Sequence, residues 1–259
     1  MKNEQIDVTT ENVTAFELTL HPLLFDREKP IRIVTNGKAI DLEDMGKPIR
    51  IDVVLEPESL LRKTRTLCGP FEDIFNYPFL TVQGTGAKTA ARRRESQAQA
   101  KWFRKRWEAC TDGWPRIKKD VDVTEADLRD YGLLLLGRPA ENSVTARIAD
   151  RLPIRFDDDA FLIDGKRYEG RDVGLAMIHP NPLNPDRYVA IFAGAYYGQT
   201  LPVNHPFDGI PDYIIFESRP AATPAEGSSG VFGEPDRHLA AGFFNSQWQV
   251  DKNASWVRK

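Results

Sequence analysis

From Ile6 to Leu55 apolar and polar residues alternate in short runs, Phe16-Glu17-Leu18-Thr19-Leu20, Ile31-Arg32-Ile33-Val34 and Ile49-Arg50-Ile51-Asp52-Val53. This is the period-two pattern of half-buried strands. Asn36-Gly37 stands between Ile31 to Thr35 and Lys38 to Ile40. It predicts a two-residue hairpin, because Asn and Gly tolerate the positive φ such a turn needs at both central positions. So few strands, apolar on one face, need a surface to pack on, and residues 1–66 are expected to form a β-rich appendage. Glu56 to Tyr77 carries turn formers around Cys68-Gly69-Pro70 and no sustained period, and marks a connection to a second region.

In that second region the pattern changes. Phe79 to Val82 is an apolar run that enters Gly84-Thr85-Gly86, and a helical stretch follows from about Lys88 to Ala109. Leu133 to Leu136, the turn Gly137-Arg138-Pro139 and a helix from Asn142 or Ser143 to Leu152 repeat the step. Val173 to Ile178, Arg187 to Ala193 and Tyr213 to Phe216 add three strands, the first two joined by His179-Pro180-Asn181-Pro182-Leu183-Asn184-Pro185 as a stiff crossover. Aliphatic runs without alternation suit strands covered on both faces. The expectation for residues 67–259 is therefore an α/β, flavodoxin-like three-layer domain with a mostly parallel sheet. Alternation around Asp164-Gly165 inserts a β-meander near 154–170, Pro220 to Asp236 reads as a surface loop, and Leu239 to Trp248 as a closing aromatic cluster.

Composition narrows the function classes. With 41% hydrophobic and 28% charged residues the chain lies in the globular band. No apolar stretch approaches the roughly 20 residues of a membrane-spanning helix, so no membrane partner is expected. A net charge of −3 supplies no global field for a polyanion. Lys88 to Ala109 nevertheless holds eight basic residues and two acidic ones, with Trp102, Phe103 and Trp107 on an apolar stripe, so its basic side reads as a solvated face and nucleic acid is not the expected partner. Cys68 and Cys110 fit either one disulfide or two separate buried thiols.

The turn Gly84, Thr85, Gly86, Lys88 opens a helix after a strand, where backbone N–H groups can hold an anion. It matches neither a P-loop nor a dinucleotide fingerprint, since Val82 and Thr89 occupy glycine positions, and a plain tight turn is the competing reading. No Gly-x-Ser-x-Gly pentapeptide exists for a nucleophile elbow. Ser143 and His179 are the weak catalytic candidates: Ser143 opens a helix, a position where it or Asn142 would ordinarily cap, and His179 ends a strand expected to be central, at the carboxyl edge where ligands of open α/β sheets gather. Asn142, Asn181 and Asn184 complete the candidate ligand-binding set, against the simpler reading that they brace their own turns. The isolated histidines suggest no metal, and no cofactor is implied.

Several segments together resemble a known group. Gly69-Pro70-Phe71-Glu72-Asp73-Ile74-Phe75 with Pro78-Phe79-Leu80, Asp122-Val123-Thr124, Asn142-Ser143 and Ile148 to Ile154 come first, followed by the Pro180-Asn181-Pro182-Leu183-Asn184-Pro185 loop with Tyr188, and Leu201 to Tyr213. As a set, over about Gly69 to Glu217, they are similar to the C-terminal region that follows the α/β-hydrolase domain in large secreted bacterial proteins of the prolyl oligopeptidase and esterase type. The resemblance implies a secreted or periplasmic setting and a catalytic hydrolase domain or subunit as partner. It carries over no catalytic residue, because that machinery belongs to the hydrolase domain. The leading expectation is a non-catalytic accessory or interaction module; the alternatives are a stand-alone hydrolase of ester or peptide bonds and a small-ligand binder at the Gly84 turn.

Overall fold

The structure is a computed structural model, and the residues it describes are 5–11, 13–21, 23, 24, 29–42, 48–53, 61–195, 209–218 and 238–258. The loop expected over Pro220 to Asp236 lies outside them. The chain divides into two compact units, Met1–Leu60 and Leu61–Lys259. In the first, β1 (Gln5–Val8) runs parallel to β3 (Ile31–Thr35), and β3 pairs antiparallel with β4 (Lys38–Leu42). Asn36 and Gly37 turn that hairpin with φ of 48° and 85°. A second pair joins β2 (Ala15–Leu18) to β5 (Ile49–Asp52). The inward side chains Leu20, Ile31, Ile33 and Ile51 make a core of their own.

The second unit is built on one sheet. Its strands are β6 (Phe79–Gln83), β7 (Ile117–Lys119), β8 (Gly132–Leu136), β12 (Val173–Asn181), β13 (Asn184–Gly194), β14 (Tyr213–Glu217), β15 (His238–Phe244) and β16 (Val250–Val257). They lie in the order β16-β15-β14-β12-β13-β8-β6-β7. The pairs β7–β6, β6–β8 and β8–β13 are parallel. The pairs β13–β12, β12–β14, β14–β15 and β15–β16 are antiparallel. Among the described residues, strand accounts for 42% against 23% helix. The flavodoxin-like, mostly parallel three-layer fold is thereby overturned: this is a mixed eight-stranded sheet in which four of the seven strand pairs are antiparallel.

The physical reason lies in one connection. β12 runs through His179 and Pro180 to Asn181, and β13 starts at Asn184, so only Pro182 and Leu183 separate them. A parallel crossover needs about a dozen or more residues, whereas two residues can close only a hairpin. The segment read as a crossover is thus the tip of the longest hairpin in the described sheet, with a register shift at Pro180/Asn181 that accommodates the proline.

Leu133 to Leu136 and the β12 residues Leu175 to Ile178 are fully buried. Helix α1 (Ala90–Thr111), capped by Thr89, buries Ala100 and Phe103. Trp107 packs on Phe75 and Phe79 with ring centres 5.2 and 4.8 Å away. Its residues Arg93, Arg94, Lys101, Arg104 and Lys105 are exposed. Short helices α2 (Glu125–Asp130) and α3 (Ser143–Ile148) follow, α2 with a full capping box of Thr124 and Asp127. Strands β9 (Arg155–Asp157), β10 (Ala160–Ile163) and β11 (Lys166–Glu169) form a separate antiparallel meander. Cys68 and Cys110 are both free, and both are exposed rather than buried.

Candidate functional site

The carboxyl ends of β6, β7, β8 and β13 share one edge of the sheet, and there the Gly84 turn is filled by the protein itself. Thr85 N–H and Oγ1 donate to Asp120 Oδ1 at 3.0 and 2.6 Å, and Ser143 N–H donates to Asp120 Oδ2 at 2.7 Å. Burial pushes the Asp120 carboxyl up, but these hydrogen bonds outweigh it and hold the group below the usual carboxylate range. A resident carboxylate therefore takes the place where an anionic ligand was expected. Gly84 and Gly86 donate their N–H groups to Leu136 O and Glu141 O. A Cβ on Gly84 would lie 2.5 Å from Glu141 O, so this glycine exists for close backbone approach.

Asn142 is fully buried and binds at both ends of its amide. Its Oδ1 accepts from Val144 and Thr145 N–H, and its Nδ2 donates to Val82 O and Leu136 O at 3.1 Å. It caps α3 and bolts the ends of β6 and β8 together. Ser143 is exposed beside it. Between the Gly84 and Gly137 turns, a void of about 10 Å³ bordered by Arg92, Gly137, Glu141 and Gly194 holds no more than a water. A shallower polar hollow of about 230 Å³ is lined by Thr85, Arg93, Ser96, Gln97 and Lys119; Lys88 does not line it and is exposed.

His179 is on the opposite edge. Because β12 is antiparallel to β13, its carboxyl end meets the amino ends of the parallel strands. His179 pairs with Val189, which pairs with Leu133 at the start of β8, whereas Ser143 follows the end of β8. Four residues of strand from Leu133 to Gly137 span roughly 13 Å, far beyond a hydrogen bond. The imidazole is buried, its Nδ1 is 2.8 Å from Pro180 O, and its ring packs edge-on against Trp248 and Phe244. Burial pulls its pKa down to about 4, so it is neutral at physiological pH.

Around it the amino edge gathers a buried polar cluster. Lys63 Nζ donates to Asp212 Oδ2 at 2.5 Å and lies 4.8 Å above the Trp248 ring. Phe244 N–H donates to the same oxygen at 2.8 Å. Asp212 is fully buried, and burial raises its pKa against both partners. Tyr188 donates its hydroxyl to Asp73 and accepts from Gly69 N–H, and burial holds the phenol protonated. Gly69, at φ 76°, presses on Asp212, where any Cβ would collide with the carboxylate.

These bonds pin the segment Leu61 to Pro70 across the edge as a strap. Lys63 also donates its N–H to Ser246 O. With Lys63 turned onto Asp212, its neighbours Arg62 and Thr64 border an open cleft of about 430 Å³. Its other walls are Leu67, Ile74, Tyr77 and Gly132, and Pro185 to Tyr188 from the start of β13. Arg187 is half-buried there, and among the described residues its guanidinium has no carboxylate partner, only Asp186 O at 3.4 Å.

The candidates from sequence thus fall into two groups that never meet. Gly84, Thr85, Gly86, Asn142 and Ser143 are taken up in structural bonds at one edge, Thr85 and Ser143 through Asp120. His179 sits in the core of the other. Asn181 Oδ1 accepts from Leu183 N–H in the hairpin turn, and Asn184 Nδ2 donates to Leu128 O at 2.9 Å, tying that turn to α2. Sequence reasoning missed Asp120, Lys63, Asp212 and the cleft residues Arg62 and Arg187. The proline-bounded hairpin was the one signal that could have brought Arg187 and Tyr188 to the amino edge. No protein-family profile, curated protein or solved structure matches the chain.

Proposed function

We propose that this chain is a non-catalytic accessory module that works by recognition at its amino-edge cleft, beside a catalytic hydrolase domain or subunit in a secreted or periplasmic setting. The observation that carries the non-catalytic reading is the register that sets Ser143 and His179 on opposite edges of the sheet. A serine nucleophile needs a base within hydrogen-bond reach, and His179 is instead a neutral core residue. Recognition is supported by a preformed cleft whose size falls within the range of small-ligand sites. Phe243, Trp256 and Val257, 41–49% exposed on the last two strands, offer apolar surface for packing on a partner. The hydrolase association itself rests on the sequence resemblance over Gly69 to Glu217.

The test is an intact mass spectrum of the native chain before and after a fluorophosphonate probe. An unchanged mass is expected. A stoichiometric adduct would establish an activated serine and promote the stand-alone hydrolase.

A further inference from the structure

We propose that the amino-edge cleft is a binding site for a carboxylate carried on an apolar body, with the Arg187 guanidinium as its anchor. This rests on the reading of the cleft as the recognition site and names its ligand class. The cleft is lined by apolar Leu67, Ile74, Tyr77 and Pro185 and by cationic Arg62 and Arg187, with Asp186 as the one acidic residue among its described lining. Among the described lining residues, two arginines stand against one aspartate, a balance that favours an anion. Thr64 and Thr66 add hydroxyls on the rim.

Arg187 is the distinctive group. It is half-buried at the start of β13, next to Tyr188, whose hydroxyl is already committed to Asp73 and Gly69. Tyr188 therefore fixes the backbone from which Arg187 projects, and its phenol is not available to a ligand. With no carboxylate partner among the described residues, the guanidinium of half-buried Arg187 keeps several N–H donors in a planar fork, the geometry that a carboxylate meets in bidentate fashion. Elsewhere in this unit exposed or partly buried arginines do find acids: Arg92 takes Glu141 and Asp159, and Arg167 takes Asp157 and Glu169. Arg187 instead lines the cleft.

The strap supplies Arg62, Thr64, Thr66 and Leu67 to the lining and is held in register by Lys63 on Asp212, so the site is formed before a ligand arrives. A preformed site avoids the ordering cost that weakens binding to mobile segments. The same chemistry can come from a peptide C-terminus or from a free aromatic acid.

The experiment titrates the full native chain calorimetrically with N-acetyl-alanyl-phenylalanine, its C-terminal amide and 3-phenylpropionate, each to millimolar concentration, and repeats the series on Arg187→Gln and Arg187→Lys. The free acid is expected to bind about tenfold or more tightly than the amide, the difference a charge-assisted hydrogen bond makes. Arg187→Gln is expected to abolish that preference and Arg187→Lys to keep part of it. Preference for the dipeptide over 3-phenylpropionate would assign a peptide terminus, and the reverse a free acid. Equal binding of acid and amide, discrimination that survives in Arg187→Gln, or no binding of any probe would each overturn the proposal. The acid and amide comparison needs no variant, so a folding defect cannot mask the answer. An adduct with the fluorophosphonate probe would sink the non-catalytic reading and leave the carboxylate preference standing, so the two failures are separable.

Discussion

At the scale of single residues, the side chains with the most to say are buried polar groups whose roles are structural. His179 shows how burial converts a catalytic residue type into a core one. Its pKa is about 4 in the folded state, against about 6.5 when unfolded. Between these values the unfolded chain binds the extra proton, so His179 favours folding at neutral pH and that advantage is lost as pH falls from about 6.5 to about 4. The shift corresponds to about 3 kcal/mol when complete. Asp212, raised by burial, acts with the opposite sign, binding its proton in the folded state first as pH falls. A His179→Phe variant therefore isolates the histidine: urea unfolding at pH 7 and pH 4.5 should show a smaller loss of stability on acidification than in the native chain. An equal loss in both would remove the neutral-core assignment.

Among elements, turns decide whether strands can meet. Gly84 sits where the end of β6 touches the Glu141 carbonyl, so Gly84→Ala forces a backbone shift and should cost about 2 kcal/mol or more. Gly165, at φ 78° in the β10–β11 turn, has open space around it, and Gly165→Ala should cost only the conformational penalty of about 1 kcal/mol. Denaturant midpoints of the two variants test this ranking, and a reversed order would contradict the close packing of the Gly84 turn. Element type was largely legible in sequence at such places. Asn36-Gly37 and Asp164-Gly165 turn hairpins, and the Leu133 to Leu136 run is a fully buried strand. Strand direction was misread at Pro182-Leu183, where the connection length alone requires an antiparallel pair.

For the whole molecule, the two units carry separate cores, one around Ile31, Ile33 and Ile51 and the other around the eight-stranded sheet. Cavity-forming substitutions should therefore act on one unit each. Ile33→Ala should lower the stability of the Met1–Leu60 unit, and Leu134→Ala that of Leu61–Lys259, each by about 2–5 kcal/mol. Hydrogen exchange followed by mass spectrometry reads the units separately. Loss of protection in both units from either substitution would mean a single cooperative core.

What the sequence alone determined is local: which runs are strands, which residues turn, where α1 turns its aromatic stripe inward, and that no nucleophile elbow is present. Periodicity and turn chemistry report burial and backbone conformation over a few residues, and these features need nothing more. Only the tertiary structure decided which edge of the sheet each candidate occupies. Asp120 joins Thr85 to Ser143, and Lys63 reaches Asp212 across 149 positions of chain. Such pairings depend on strand order and direction, which bring distant residues together without leaving a periodic trace, and they separate His179 from Ser143 while assembling a cleft around Arg187.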